Sequence, residues 1–181
     1  MRRVGLFLVL AIPVIISGGC GNNSAETASG EPVENEVVQY SNGTIMLDLR
    51  DAFLFNDEKN PDRNTAEWNF MVNSVGRYEV WLSTITQDTM DLGYQMPVIV
   101  NFGDKRLEGQ PVGDEIILDD KVAKPYFRAD SRLGSIYIED PGHYNIQIIS
   151  EKVLPEARLK SSAMKGANAI LDHIILKPLT N

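Results

Sequence analysis

The sequence predicts an all-β protein with one folded domain, a β-sandwich, and three observations carry that expectation. From residue 45 onward apolar residues alternate with polar ones, the period of a half-buried strand. Gly- and Pro-containing turn signals separate the alternating runs. No segment presents a convincing amphipathic helix of three turns.

The first segment is of a different kind. Met1-Arg2-Arg3 is a charged start, Val4 to Ile16 is an apolar run, and Ser17-Gly18-Gly19 leads into Cys20. That order describes a secretory signal at residues 1–19. The apolar run is shorter than the roughly 20 residues a spanning helix needs, and Pro13 within it disfavours a straight helix. Cys20 is the only cysteine, so an internal disulfide is excluded. It is either a free thiol past an ordinary cleavage site or the lipidated first residue of the mature chain. Ile15 to Cys20 resembles a bacterial lipobox, with Ser17 where an aliphatic residue is usual. The resemblance implies lipidation of Cys20, a membrane partner reached through that anchor, and a place in the bacterial cell envelope. Gly21 after the cysteine, rather than Asp, resembles lipoproteins sorted to an outer membrane in a Gram-negative host. Several acyl chains, each contributing about 0.8 kcal/mol per buried methylene, would anchor the chain stably.

Residues 20–42 read as the lipidated cysteine and a disordered tether, because apolar side chains are almost absent before Val37 and Val38. The formal net charge of the 181-residue chain is −8. Such a chain repels phosphate backbones, which argues against a nucleic-acid partner, and it offers no polybasic membrane patch. Residues 43–181 have the size of one domain able to bury a core without disulfides.

Within that domain the strands follow in order. Ile45, Leu47 and Leu49 share one face of the first run; Trp68, Phe70 and Val72 share one face of the next. Tyr78, Val80 and Leu82 come after Ser74-Val75-Gly76, and Val98, Val100 and Phe102 precede Gly103-Asp104. Pro111-Val112-Gly113 marks another turn. Ile136 and Ile138 run up to Asp140-Pro141-Gly142, then Tyr144, Ile146 and Ile148, and finally Ile174 and Leu176. Lys160 to Ala167 reads as a short helix or a loop.

The stretch from Trp68 through Gly76 and Tyr78 to Leu82 resembles a hallmark of galactose-binding-like jelly rolls, in which a "W-x-F/V-x-V" strand leads through a Gly-Tyr turn into its neighbour. Three further segments agree in order: Ile45 to Leu54, Val98 to Leu107, and Asp140-Pro141-Gly142-His143-Tyr144 followed by Leu171 to Pro178. The group includes carbohydrate-binding modules of families six and thirty-five. The resemblance covers nearly the whole domain, and it implies a jelly-roll sandwich with carbohydrate as its ligand.

Chemistry is sparse by comparison. His143 and His173 are the only histidines, which makes a His- or Cys-rich zinc site improbable. No nucleophile elbow, phosphate loop or dinucleotide fingerprint is present. The expectation is therefore a non-enzyme without a catalytic cofactor. Asp57, Glu58 and Asp62 are the calcium candidates, since hard cations favour clustered carboxylates, although the loop lacks EF-hand order. For sugar binding the candidates are Trp81, Tyr94, Tyr126 and Arg128. Alternation places Trp81 on an outer sheet face, either as a free platform or covered by a neighbour. Tyr94, Tyr126, Phe127 and Arg128 lie in loop-like segments, where they would rim a site or plug the ends of the sandwich. The expected partner is carbohydrate; the alternative is an envelope protein docked to the same sandwich.

Overall fold

The computed structural model describes residues 37, 39–118, 122–155 and 169–179. The alternation read from the sequence sorts the chain into two layers. Strands β1 (Ile45–Asp48), β2 (Phe53–Phe55), β3 (Thr65–Val72), β4 (Gly76–Thr86) and β5 (Val98–Phe102) are followed by β6 (Lys105–Gly109), β7 (Glu115–Ile117), β8 (Phe127–Ile138), β9 (Gly142–Ile149) and β10 (Ala169–Pro178). One sheet has the order β1-β10-β4-β8-β7 and the other β2-β3-β9-β5-β6, each five-stranded and antiparallel throughout. The chain passes from one sheet to the other repeatedly, and the result is a β-sandwich.

Between the sheets lie the residues that the alternation assigned there. Leu47, Trp68, Phe70, Tyr78, Leu82, Val100, Ile138, Ile148 and Ile174 are at most 1% exposed. At about 25 cal/mol per Å² of apolar surface, each of these large side chains contributes on the order of 2 kcal/mol. Two of the large polar side chains in this layer are paired: Trp68 Nε1 donates to the Asp48 carbonyl at 2.7 Å, and the Tyr78 hydroxyl donates to the Ser74 carbonyl.

Two bulges interrupt the larger ladders. Between β4 and β8 the register shifts after Val80, leaving Leu133 as the extra residue. Beside it Gly134 has φ +156°, and a Cβ there would meet Leu107 Cδ2 at 3.1 Å. Between β10 and β4 the extra residue is Asp172.

Several boundaries differ from the sequence reading. β2 and β7 have three residues each, too few for a period to show. Phe127 and Arg128 were expected in a loop, but they open β8. The folded part also starts before residue 43. Val37 pairs with Phe70 in a parallel bridge, and Gln39 is tied to Gly43, Tyr78, Asn73 and Ser74 through its amide. The signal segment, Cys20 and the Lys160 to Ala167 stretch lie outside the described residues.

Candidate functional site

Each sheet has an outer face, and the candidates read from the sequence fall mainly on or around the first. Trp81 does point outward, away from the core cluster, but only 7% of it is exposed. The Lys177 ammonium sits 4.0 Å from its ring centroid, and its Nε1 donates to Glu79 at 3.0 Å. Arg132 reaches the same carboxylate at 2.6 Å. Burial would raise the Glu79 carboxyl, yet the bonds from Trp81 and Arg132 and the charges of Arg132 and Lys177 outweigh it and hold it low. Trp81 is thus a cation-capped structural residue and not a free stacking platform.

Tyr94 is likewise no rim residue. It is 7% exposed and belongs to the core, its hydroxyl shares a hydrogen bond with Thr84 at 2.8 Å, and burial pushes its phenol well above the ordinary range. Tyr126 and Arg128 do come together, with Ile117, Leu118 and Phe127, around a pocket of about 440 Å³. Arg128 also lies 3.5 Å from Asp172. Asp172 accepts from His173 Nδ1 at 2.8 Å. Burial acts to raise the Asp172 carboxyl, but the His173 bond and the Arg128 and Arg50 charges prevail and hold it low.

The calcium candidates are not gathered. Asp57 spends both oxygens on its own turn, accepting from Lys59 N at 2.9 Å, Asn60 N at 3.2 Å and Asn60 Nδ2 at 2.9 Å. Those bonds keep its carboxyl below the usual range. Glu58 and Asp62 are exposed beside it. Among the described residues no group of three or more His, Cys, Asp or Glu side chains is placed to hold a metal ion.

The outer face of the second sheet carries a different surface. Its strands turn Ala66, Trp68, Val100, Ile146 and Ile148 inward, so the alternate positions face out. Register then assembles rows across the sheet. Phe53, Glu67, Gln147, Asn101 and Arg106 are successive cross-strand partners from β2 to β6. Asn69 and Asn145 form the next row on one side, and Phe55, Thr65, Ile149, Ile99 and Glu108 the row on the other. Phe53 is 50% and Phe55 59% exposed, because Leu54 between them takes the inward position.

The amides on this face orient one another. Asn145 Nδ2 donates to Glu67 Oε1 at 2.7 Å and to Asn69 Oδ1 at 3.0 Å, and Asn101 Nδ2 donates to Gln147 Oε1 at 3.0 Å. Among the described residues, no protein group meets Asn69 Nδ2, Asn101 Oδ1 or Gln147 Nε2. Fixed amides with free donor and acceptor poles, next to two exposed rings, suit a ligand rich in both hydroxyls and C–H surface. A cleft of about 670 Å³ continues the face toward the β5–β6 hairpin, with Asn101, Asn145, Gln147 and His143 shared between them and Asp104 and Glu139 beyond.

The sandwich has a counterpart among solved structures. It resembles part of the α-L-fucosidase from Vibrio sp. strain EJY3, with a TM-score of 0.63 and 22% identity over 80% of this chain and 24% of that one. It also resembles part of the Podospora anserina GH26-CBM35 β-(1,4)-mannanase (TM-score 0.45, 13% identity, 77% of this chain and 28% of that one). A third resemblance, to the insecticidal crystal protein Cry2Aa, has a TM-score of 0.45 and 13% identity over 75% of this chain and 21% of that one. The chain therefore spans about a quarter of the length of these structures. No protein-family model and no curated protein matches the sequence. What the fucosidase likeness establishes is the fold.

Sequence reasoning missed the residues of this second face. Phe53 and Phe55 stand in a three-residue strand, too short to reveal a period. Asn69, Asn101, Asn145 and Gln147 occupy the polar phase of strands that were read for their apolar phase. The usable signal was amides recurring in the solvent phase of β3, β5 and β9, and it acquires meaning only once the register is known.

Proposed function

We propose that this domain binds carbohydrate without catalysis, through the outer face of its second sheet, and that a lipidated Cys20 holds it in the bacterial cell envelope at the outer membrane. One observation carries the ligand reading: Phe53 and Phe55 stand exposed at the edge of a row of mutually fixed amides. A pyranose has C–H-rich faces that stack on aromatic rings and a rim of hydroxyls that pair with amide poles. That the sandwich recurs in an enzyme named for a fucosyl substrate is in keeping with this reading.

The two carboxylates of these rows favour a binding role over a hydrolytic one. Glu67 accepts from Asn145, and Glu108 is paired with Arg106 at 2.9 Å. They stand on β3 and β6, three strands apart. That is roughly 14 Å, beyond the approximately 9.5 Å limit of an acid–base pair in glycoside hydrolysis.

The test is a polysaccharide-retardation and glycan-array screen of the mature chain carrying Cys20→Ser. Retention that disappears in the Phe53→Ala/Phe55→Ala double variant would establish the face. Binding to no glycan, alongside recovery of one stoichiometric protein from envelope membranes, would replace the carbohydrate reading with a protein-docking one. The anchor is tested separately: wild-type chain should take up labelled palmitate and float with membranes, and Cys20→Ser should do neither.

A further inference from the structure

Resting on the carbohydrate reading above, we infer that the ligand is the interior of an unbranched, uncharged glycan chain, about four sugars of which lie across the strands at one sugar per strand gap. The row from Phe53 through Glu67, Gln147 and Asn101 to Arg106 crosses five strands in continuous register. Neighbouring strands are about 4.8 Å apart, so the row is roughly 19 Å long. An extended pyranose chain advances by about the same step per ring, which gives each gap one sugar to contact.

Both ends of the row are open. Phe53 and Phe55 lie on the edge strand β2, 50% and 59% exposed. On the opposite edge strand the side chains of Arg106 and Glu108 are 57% and 51% exposed. A bound chain can run past either edge, as the interior of a polymer must and a chain end need not. The two rings, about 7 Å apart along β2, mark one end of the row for stacking, and the amides mark its middle for hydroxyl pairing. Charge narrows the ligand further. Glu67 is committed to Asn145 and Arg106 to Glu108, so among the described residues of this row no cation is left over for a uronate. The whole chain carries a net charge of −8, which repels a polyanion.

The measurement is titration calorimetry of the mature Cys20→Ser chain against linear gluco-, manno- and xylo-oligosaccharides of one to six residues, each with its end sugar intact or reduced, and against polygalacturonate. The series that binds should gain about tenfold in affinity from two to four residues and then level off, with less than a twofold effect of end reduction on the five- and six-residue ligands. Asn101→Ala should weaken the four-residue ligand and spare the two-residue one. Three results overturn the inference while leaving carbohydrate binding intact: a monosaccharide binding as tightly as the longest oligomer, affinity of the six-residue ligand lost on end reduction, or preference for polygalacturonate or a branched glycan. Failure of every glycan in the array and in this series removes the carbohydrate reading as well.

Discussion

Gln39→Ala is expected to destabilise the sandwich by about 2–3 kcal/mol, although the residue lies before the first strand. Its Nε2 donates to the Gly43 carbonyl and to the Tyr78 hydroxyl, both at 2.7 Å, and both bonds are partly buried. Its Oε1 accepts from Asn73 N at 2.8 Å and Ser74 N at 2.9 Å, in exposed positions. A net intramolecular hydrogen bond is worth about 0.5–1.5 kcal/mol, with buried ones in the upper range and exposed ones replaced largely by water. About 1 kcal/mol for each of the inner two, and about a third to a half of that for each outer one, gives the stated total. For a chain of this size the shift in melting temperature is roughly 5–10 °C. Urea unfolding of the mature Cys20→Ser chain, followed by fluorescence of Trp68 and Trp81, reads the change directly. The double variant with Tyr78→Phe should fall short of additivity by about 0.5 kcal/mol or more, since both changes remove one shared bond. A Gln39→Ala midpoint within error of wild type would refute the reasoning and mean that water serves the β3–β4 turn as well as Gln39 does.

Trp81→Ala should cost about 3–5 kcal/mol as a large buried truncation, while the folded fraction keeps its affinity for glycan; Phe53→Ala should do the reverse, with stability within about 0.5 kcal/mol of wild type. Because the folded-state carboxyl of Asp172 is held below its ordinary range, its contribution is complete above the unfolded value of about 3.9 and lost as pH falls through the folded one. Denaturation from pH 5 down to pH 2 should therefore show a shallower acid decline in Asp172→Asn than in wild type. Gly134→Ala should destabilise by about 1–3 kcal/mol, as the new methyl meets Leu107 at a φ that side chains avoid, and thermal melts would report it.

What could be read in advance follows from where one face of a strand is buried. In β3, β5 and β9 a strictly apolar phase faces the core, so Trp68, Val100 and Ile148 announced their layer. The opening of β8 gave no such signal. Asp130 and Ser131 are buried polar residues there, tolerated because Ser131 Oγ takes the Gly113 N–H at 2.9 Å and Asp130 lies 3.9 Å from the Lys177 ammonium. Trp81 shows the other limit. Alternation correctly aimed it outward, but its cover comes from Lys177 on β10, a strand whose adjacency to β4 no local pattern encodes. The amide face was hidden for the same reason. Asn101, Asn145 and Glu67 are far apart in sequence and become neighbours only through the order β3-β9-β5.

The described chain joins the sandwich and leaves it at one end. Gly43 packs so closely on Pro178 that a Cβ would stand 3.1 Å from its ring, and just beyond, the Leu179 N–H bonds to the Arg77 carbonyl at 2.8 Å. A fold with both leads side by side can be spliced into a host loop without prying that loop apart, or hung from either lead.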